Sequence, residues 1–272
     1  MRNYIRKPAV AGQFYHSSPE RLKKEISGFV DSGAGKMNAK GCVMPHAGYM
    51  YSGKVAAEVA SSVTVRDKII FLGPNHTGYG CMLSMMSSGT WETPFGSISI
   101  DESLAQSLLS CVPSLEEDVL AHQYEHSIEV ELPLFQYFKK DFTMVPIAVM
   151  TEDVDVLKKT GDAIATCVSD LHLTDSLLFV ASSDMTHYES QKQASHKDKE
   201  AIEAILNLDE DALIQKVKGL NITMCGFAPV VIMLRAVKKL GARSATLIKY
   251  QTSGDITGDM SSVVGYAGIV IE

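Results

Sequence analysis

The sequence has no long apolar run. Its longest, FAPVVIML from Phe227 to Leu234, falls far short of the roughly 20 residues that span a bilayer. It has no block of lysine and arginine, and its formal net charge is -7. Nucleic acid and anionic membrane surfaces are therefore excluded as main partners. The five cysteines, Cys42, Cys81, Cys111, Cys167 and Cys225, are odd in number and contain no CxxC pair. That excludes a disulfide framework and a zinc ribbon, and fits a reducing compartment. The opening MRNYIRKPAVAGQFY mixes charges and Pro8 into its apolar residues and does not read as a signal peptide. A cytoplasmic protein is the expectation. No linker, repeat or low-complexity stretch divides the 272 residues, so one domain over 1–272 is expected, long enough to bury a core without staples.

What is present is an alternation of short apolar strands and amphipathic helices. KGCVM (40–44), KIIFLG (68–73), TMVPIAVM (143–150), SLLFVASS (176–183), ATLIKYQ (245–251) and VVGYAGIVI (263–271) read as strands. SPERLKKEISGFV (18–30) reads as a helix with Ser18 as N-cap and Pro19 in the first turn; DESLAQSLLSCV (101–112) is another, capped by Asp101. KVAAEVASSV (54–63) places Val55, Val59 and Val63 on one helical face. Further helices are expected at about 154–169, near 197–207 and 209–218, and over 226–241, ending at Gly241. WETPFGSISI interrupts the alternation as a small antiparallel excursion. The pattern predicts a three-layer α/β/α sandwich with a mainly parallel, edge-mixed central sheet. Ligands in such sheets bind beyond the carboxyl ends of the strands.

The histidines collect at those ends. CVMPHAGYMYSG puts His46 just after a strand, FLGPNHTGYG puts His76 after the next, and FVASSDMTHYE puts Asp184 and His187 after a third. NITMCGFAP places Cys225 directly before a helix. AHQYEHSIEVELP carries His122, His126 and Glu129 and reads mostly as helix up to a break at Pro133, with the two histidines four apart on one face. A single histidine after a proline is as often a turn residue as a ligand, and Cys225 alone reads as a small buried hydrophobe. Three histidines at the same topological point shift that balance. Two imidazoles and an anionic ligand form a common open metal site, and Asp184 beside His187 forms an acid/base pair. Met50 and Met224 read as core-packing residues. The glycine-rich loops match neither phosphate-binding fingerprint.

The motifs KPAVAGQFY, MPHAGYMYSG, LGPNHTG, WETPFG, EHSIEVELP, SSDMTHY and CGFAP, with the ending SVVGYAGIVI, resemble the Memo family, which includes the AmmeMemoRadiSam system protein B group. The motifs run in order across essentially the whole chain. The resemblance implies a fold similar to the class III extradiol (LigB-like) dioxygenases, which hold non-heme Fe(II) with two histidines and a glutamate. It implies His46, His76 and Cys225 as metal ligands, cysteine replacing the carboxylate, and His187 at the acid/base position with Asp184 beside it. Tyr51 and His126 would line the cleft. Fe(II) is the expected metal, with copper or zinc as alternatives.

The expected function is a metal-dependent redox protein, an oxidoreductase of the non-heme-iron type acting on an unidentified small molecule. Two alternatives stand beside it. One is a scaffold that holds a peptide in the same cleft, with AMMECR1-like and radical-SAM proteins as its microbial partners. The other is a zinc-dependent hydrolase. A thiolate ligand is softer than a carboxylate, so ring-cleaving chemistry does not transfer directly.

Overall fold

The computed structural model describes residues 4–30 and 35–272; the first three residues of the N-terminal segment read above lie outside them. The first half of the chain runs β1 (Ile5–Arg6), α1 (Pro19–Phe29), β2 (Gly41–Met44), α2 (Tyr49–Ser62), β3 (Lys68–Pro74), β4 (Leu83–Met85), β5 (Thr90–Thr93), β6 (Gly96–Ile100), α3 (Glu102–Cys111), β7 (Glu116–Glu117) and α4 (Leu120–Gln123). A 3-10 turn (Glu129–Glu131) leads into α5 (Leu132–Phe138), β8 (Thr143–Val149), α6 (Val154–Asp170), β9 (Leu177–Ser182) and β10 (His187–Glu189). The chain closes with α7 (Gln191–Leu206), α8 (Glu210–Gly219), α9 (Phe227–Lys239), β11 (Ala245–Thr252), α10 (Gly254–Thr257) and β12 (Val263–Ile271).

The strands form one mixed sheet in the order β1-β5-β6-β8-β3-β9-β2-β12-β10, with β11 also on β12 and β4 on β8. The run β6-β8-β3-β9-β2 is parallel, and the β2–β12 and β12–β11 edges are antiparallel. WETPFGSISI is the antiparallel β5–β6 hairpin, as expected. Ile69–Leu72 in β3 are fully buried, as a parallel strand covered on both faces must be.

Register shows the three layers. Gly41 of β2 pairs with Ile271 of β12, so both point to one face. A Cβ on Gly41 would touch Met233 and Val237 of α9, whereas one on Gly268, on the opposite face of β12, would touch Val55 and Val59 of α2. Helices α2 and α9 therefore cover opposite faces, and the expected α/β/α sandwich holds. Ser18 and Asp101 cap α1 and α3 through their side chains as read from sequence.

Several expectations need correcting. Helix α2 starts at Tyr49, ahead of Lys54, because Tyr49 is already anchored: its N–H donates to Phe14 O (2.7 Å) and its ring is buried. Val63 ends that helix as its C-cap. Helix α7 starts at Gln191, ahead of the expected 197, and its polar first turns carry no apolar period that would reveal it in the sequence. The stretch 122–133 is not one helix. The Glu125 carboxylate accepts the backbone N–H groups of His126 and Ser127, replacing helical bonding, and Pro133 lies in the first turn of α5 instead of breaking a helix. Met224 is buried, but Met50 is 64% exposed, so its reading as a core residue fails.

Candidate metal centre at the ends of β2, β3 and β9

Strand β9 lies between β2 and β3. The loops carrying His46 and His76 therefore flank the end of β9, where Ser182, Asp184 and His187 follow. Two glycines allow other segments to close over this point. A Cβ on Gly73 would stand 2.5 Å from Ser127 Oγ, so the 127–128 segment lies directly on β3. A Cβ on Gly226 would stand 2.0 Å from Ser182 O, so the turn carrying Cys225 lies directly on β9.

The result is one cluster. The His46 and His76 rings are 5.2 Å apart, His46 and His126 5.5 Å, and His76 and His126 4.8 Å and stacked. One ring nitrogen from each of the three lies within 4.8 Å of the others. Cys225 Sγ lies 3.3 Å from His46 Nε2 and accepts the Asp184 N–H at 3.3 Å. The structure thus brings the three imidazoles into one group within ligand distance of one another, and Cys225 joins that group at His46.

Hydrogen bonds behind the rings decide which way their lone pairs face. Ser182 has one hydroxyl proton and donates it to Ser127 O (2.7 Å). Its oxygen must then accept from His46 Nδ1, 2.6 Å away, which leaves His46 Nε2 with a free lone pair. Glu125 performs the same task for His76. Its Oε1 is hydrogen-bonded to His76 Nδ1 at 3.0 Å and lies 3.2 Å from His126 Nδ1 as a charge contact, so one carboxylate fixes the His76 ring and sits beside the His126 ring. It also accepts the His76 N–H. Backing of this kind fixes the tautomer and raises ligand basicity in metal sites.

The electrostatics agree with neutral ligands. Burial, then the charges of His76, His126 and His187, hold His46 well below the usual imidazole range. Burial also lowers His126, against the pull of Glu125. Burial would raise Glu125, but the His76 hydrogen bond and both imidazoles outweigh it and hold the carboxyl down to about 2. Asp184 is pushed up to about 6 by burial, although its Oδ1 accepts the His46 N–H at 2.9 Å. Burial and the nearby Asp184 raise the Cys225 thiol in the absence of any cation.

His187 is oriented separately. Its N–H donates to Thr223 Oγ1 (2.7 Å), and Nδ1 lies 2.9 Å from Thr223 O, a pure acceptor. Nδ1 therefore carries the proton and Nε2 is free. Tyr188 beside it is 79% exposed with φ 60°, a left-handed conformation that a bulky residue adopts only under constraint. Tyr51 is half-buried near Tyr266; among the described residues no hydrogen bond ties its hydroxyl to the imidazoles.

Two residues grouped with the site by sequence lie elsewhere. His122 is not on a face shared with His126: it is buried edge-on against Trp91, 5.6 Å between ring centroids. Burial and Arg6 lower it to about 4. Glu129 faces no ligand. It is occupied by Arg6, by the N–H groups of Ala9 (2.7 Å) and Val10 (3.0 Å), and by the Tyr15 hydroxyl (2.6 Å). Sequence reasoning missed Glu125, Ser182 and Thr223. Glu125 and Ser182 stood inside quoted motifs, but only the fold reveals that they back imidazoles. Arg6 was also missed; it donates to His122 O (3.0 Å) and Glu125 O (2.6 Å) and so ties the N-terminal strand to the site loop.

Comparisons with known proteins identify the family and the fold. The family model described as "Memo-like protein" matches residues 6–270. A MEMO1 family protein of Methanosarcina barkeri is 44% identical over 270 residues, covering 98% of this chain and 100% of that one. A MEMO1 family protein of Aquifex aeolicus is 40% identical, covering 98% of each. Among solved structures, an uncharacterized protein from Escherichia coli K12 matches with a TM-score of 0.59 at 15% identity, over 85% of this chain and 98% of that chain. That last likeness concerns the fold alone.

Proposed function

This chain belongs to the Memo family, and from that premise we propose that it is a metal-dependent redox protein whose ion is held by His46, His76 and Cys225. One observation carries the reading: His46 and His76 each have the Nδ1 proton committed behind the ring, leaving Nε2 unprotonated, and the Cys225 sulfur lies 3.3 Å from His46 Nε2. The residues present fit a metal ion. His126, beside the Glu125 carboxylate, is a further side chain within ligand reach of His46 and His76. A nitrogen and sulfur donor set suits Fe(II) and also accepts copper or zinc. A bound iron would supply one-electron chemistry and open positions for a small molecule.

The remaining residues handle protons. Asp184, pushed up to about 6, exchanges its proton close to neutral pH. His187 Nε2 is the matching acceptor, held in place by Thr223. Ser182 and Glu125 orient the His46 and His76 imidazoles. The protein should be purified without oxygen and its metal content and EPR spectrum compared for wild type, His76→Ala and Cys225→Ala. Stoichiometric iron in wild type, lost in both variants, is expected. Negligible iron and copper in all three overturns the reading, and zinc with ester or amide hydrolysis transfers it to a hydrolase.

The rim favours a second reading. Met50, Tyr79, Tyr124 and Tyr188 are exposed on the segments that carry His46, His76, Glu125 and His187. Such a border suits a peptide or a partner loop, including those of AMMECR1-like and radical-SAM proteins. Co-purification that is abolished by Tyr188→Ala supports it; co-purification indifferent to rim substitutions opposes it.

A further inference from the structure

Away from the cleft, two cysteines meet between α3 and α6. Cys111 is the last residue of α3 and is exposed; Cys167 lies in α6 and is buried. The two side chains are near neighbours, since Cys111 is the largest influence on the Cys167 thiol after burial, and neither is in a disulfide. Both line an open groove of about 390 Å³, bordered by Ser110, Asp170 and Leu171. The groove admits a small molecule to Cys111, and Cys167 stands directly behind it.

We propose that Cys111 and Cys167 are an attacking and a resolving thiol that close to a disulfide by exchange with a small disulfide, stapling α3 to α6. The Cys111 thiolate attacks one sulfur of the oxidant RSSR. A Cys111–SR bond forms, the S–S bond of the oxidant breaks, and RS⁻ leaves to take up a proton from water. Cys167, having given its proton to solvent, then attacks the Cys111 sulfur and expels the second RS⁻. Two protein thiols lose two electrons and two protons, and RSSR becomes two RSH. The order follows from access and acidity. Cys111 is open to solvent, whereas burial, then Cys111 and Asp170, raise the Cys167 thiol to about 12. Once Cys111 is capped, its share of that suppression is gone and the second step is released.

Titration of the reduced, oxygen-free protein with oxidised glutathione tests this. The free-thiol titre in denaturant should fall by two, and an unreduced digest should yield one linked peptide pair containing Cys111 and Cys167. Dithiothreitol should reverse both changes, and the thermal midpoint of the oxidised form should rise by roughly 5 °C or more. Cys167→Ala should accumulate a mixed disulfide on Cys111, and Cys111→Ser should leave position 167 unmodified. Peptide mapping separates these events from adducts at Cys225 in the cleft. A stable glutathione adduct on Cys111 of the unsubstituted protein, with no linked peptide at excess oxidant, overturns the proposal. So does a linkage from Cys111 to any other cysteine.

Discussion

Two buried polar clusters share the segment from His122 to Glu129, and they are wired in opposite ways. Around Glu129 the carboxylate oxygens are engaged by four donors, and Arg6 spends its own donors on Glu129 and on the carbonyls of His122 and Glu125. That network closes on itself and has nothing to offer a ligand. Around Glu125 and Ser182 the Nδ1 atoms of His76 and His46 are bonded from behind, yet their Nε2 side is left open, with Cys225 beside His46. A structural cluster and a candidate metal centre are thus told apart by where the unused lone pairs point, and not by burial or by residue type.

The contrast is broken most severely at Arg6. Arg6→Met leaves Glu129 buried without its cation, and should cost about 3–5 kcal/mol in denaturant unfolding. Adding Glu129→Gln should recover part of that loss, because the unpaired charge disappears while an amide oxygen can still accept from the Ala9 and Val10 N–H groups or the Tyr15 hydroxyl. No recovery would show that the strand around β1, rather than the charge pair, is what Arg6 supports.

Glu125→Gln tests the open cluster. An amide cannot accept from the His76 ring and the backbone N–H groups of His76, His126 and Ser127 as the carboxylate does, so metal affinity should fall by about 10–100-fold in a competition assay. The pH dependence has a definite sign. The folded carboxyl is held at about 2, below its ordinary 4.5, so the folded state binds fewer protons. Its stabilisation is complete above the ordinary value and is lost as pH falls toward about 2. The stability gap between wild type and Glu125→Gln should close over that window, and a constant gap would deny the carboxylate this role.

Ser182→Ala removes the partner of both His46 Nδ1 and Ser127 O. It should destabilise the protein by about 1–3 kcal/mol and loosen metal binding, since two buried groups lose their bonds. The smallest effect is expected at His122, whose ring nitrogens have no partner among the described residues. His122→Leu should change stability by less than about 1 kcal/mol and leave metal content unaltered. Loss of metal there would return His122 to the site.

Much of the fold was legible because local signals and tertiary structure agree. Ser18 and Asp101 cap the helices they precede, and the apolar runs at 69–72 and 177–182 become covered parallel strands. The strand-end loops located His46, His76, His187 and Cys225. Periodicity failed where side chain to backbone bonding replaced it. The Glu125 carboxylate takes the N–H groups that a helix through His126 would have used, so the four-residue spacing of His122 and His126 carried no shared face.

The sequence by itself determined the alternation of strands and helices, the caps, and which loops carry imidazole and thiol groups, because those depend on near neighbours in the chain. Only the tertiary structure decided that Ser182 and Glu125 commit the Nδ1 protons, that Cys225 faces His46 across 179 positions of sequence, and that Cys111 meets Cys167. Direction of a lone pair and distance between remote sulfurs are properties of packed elements, and no local pattern encodes them.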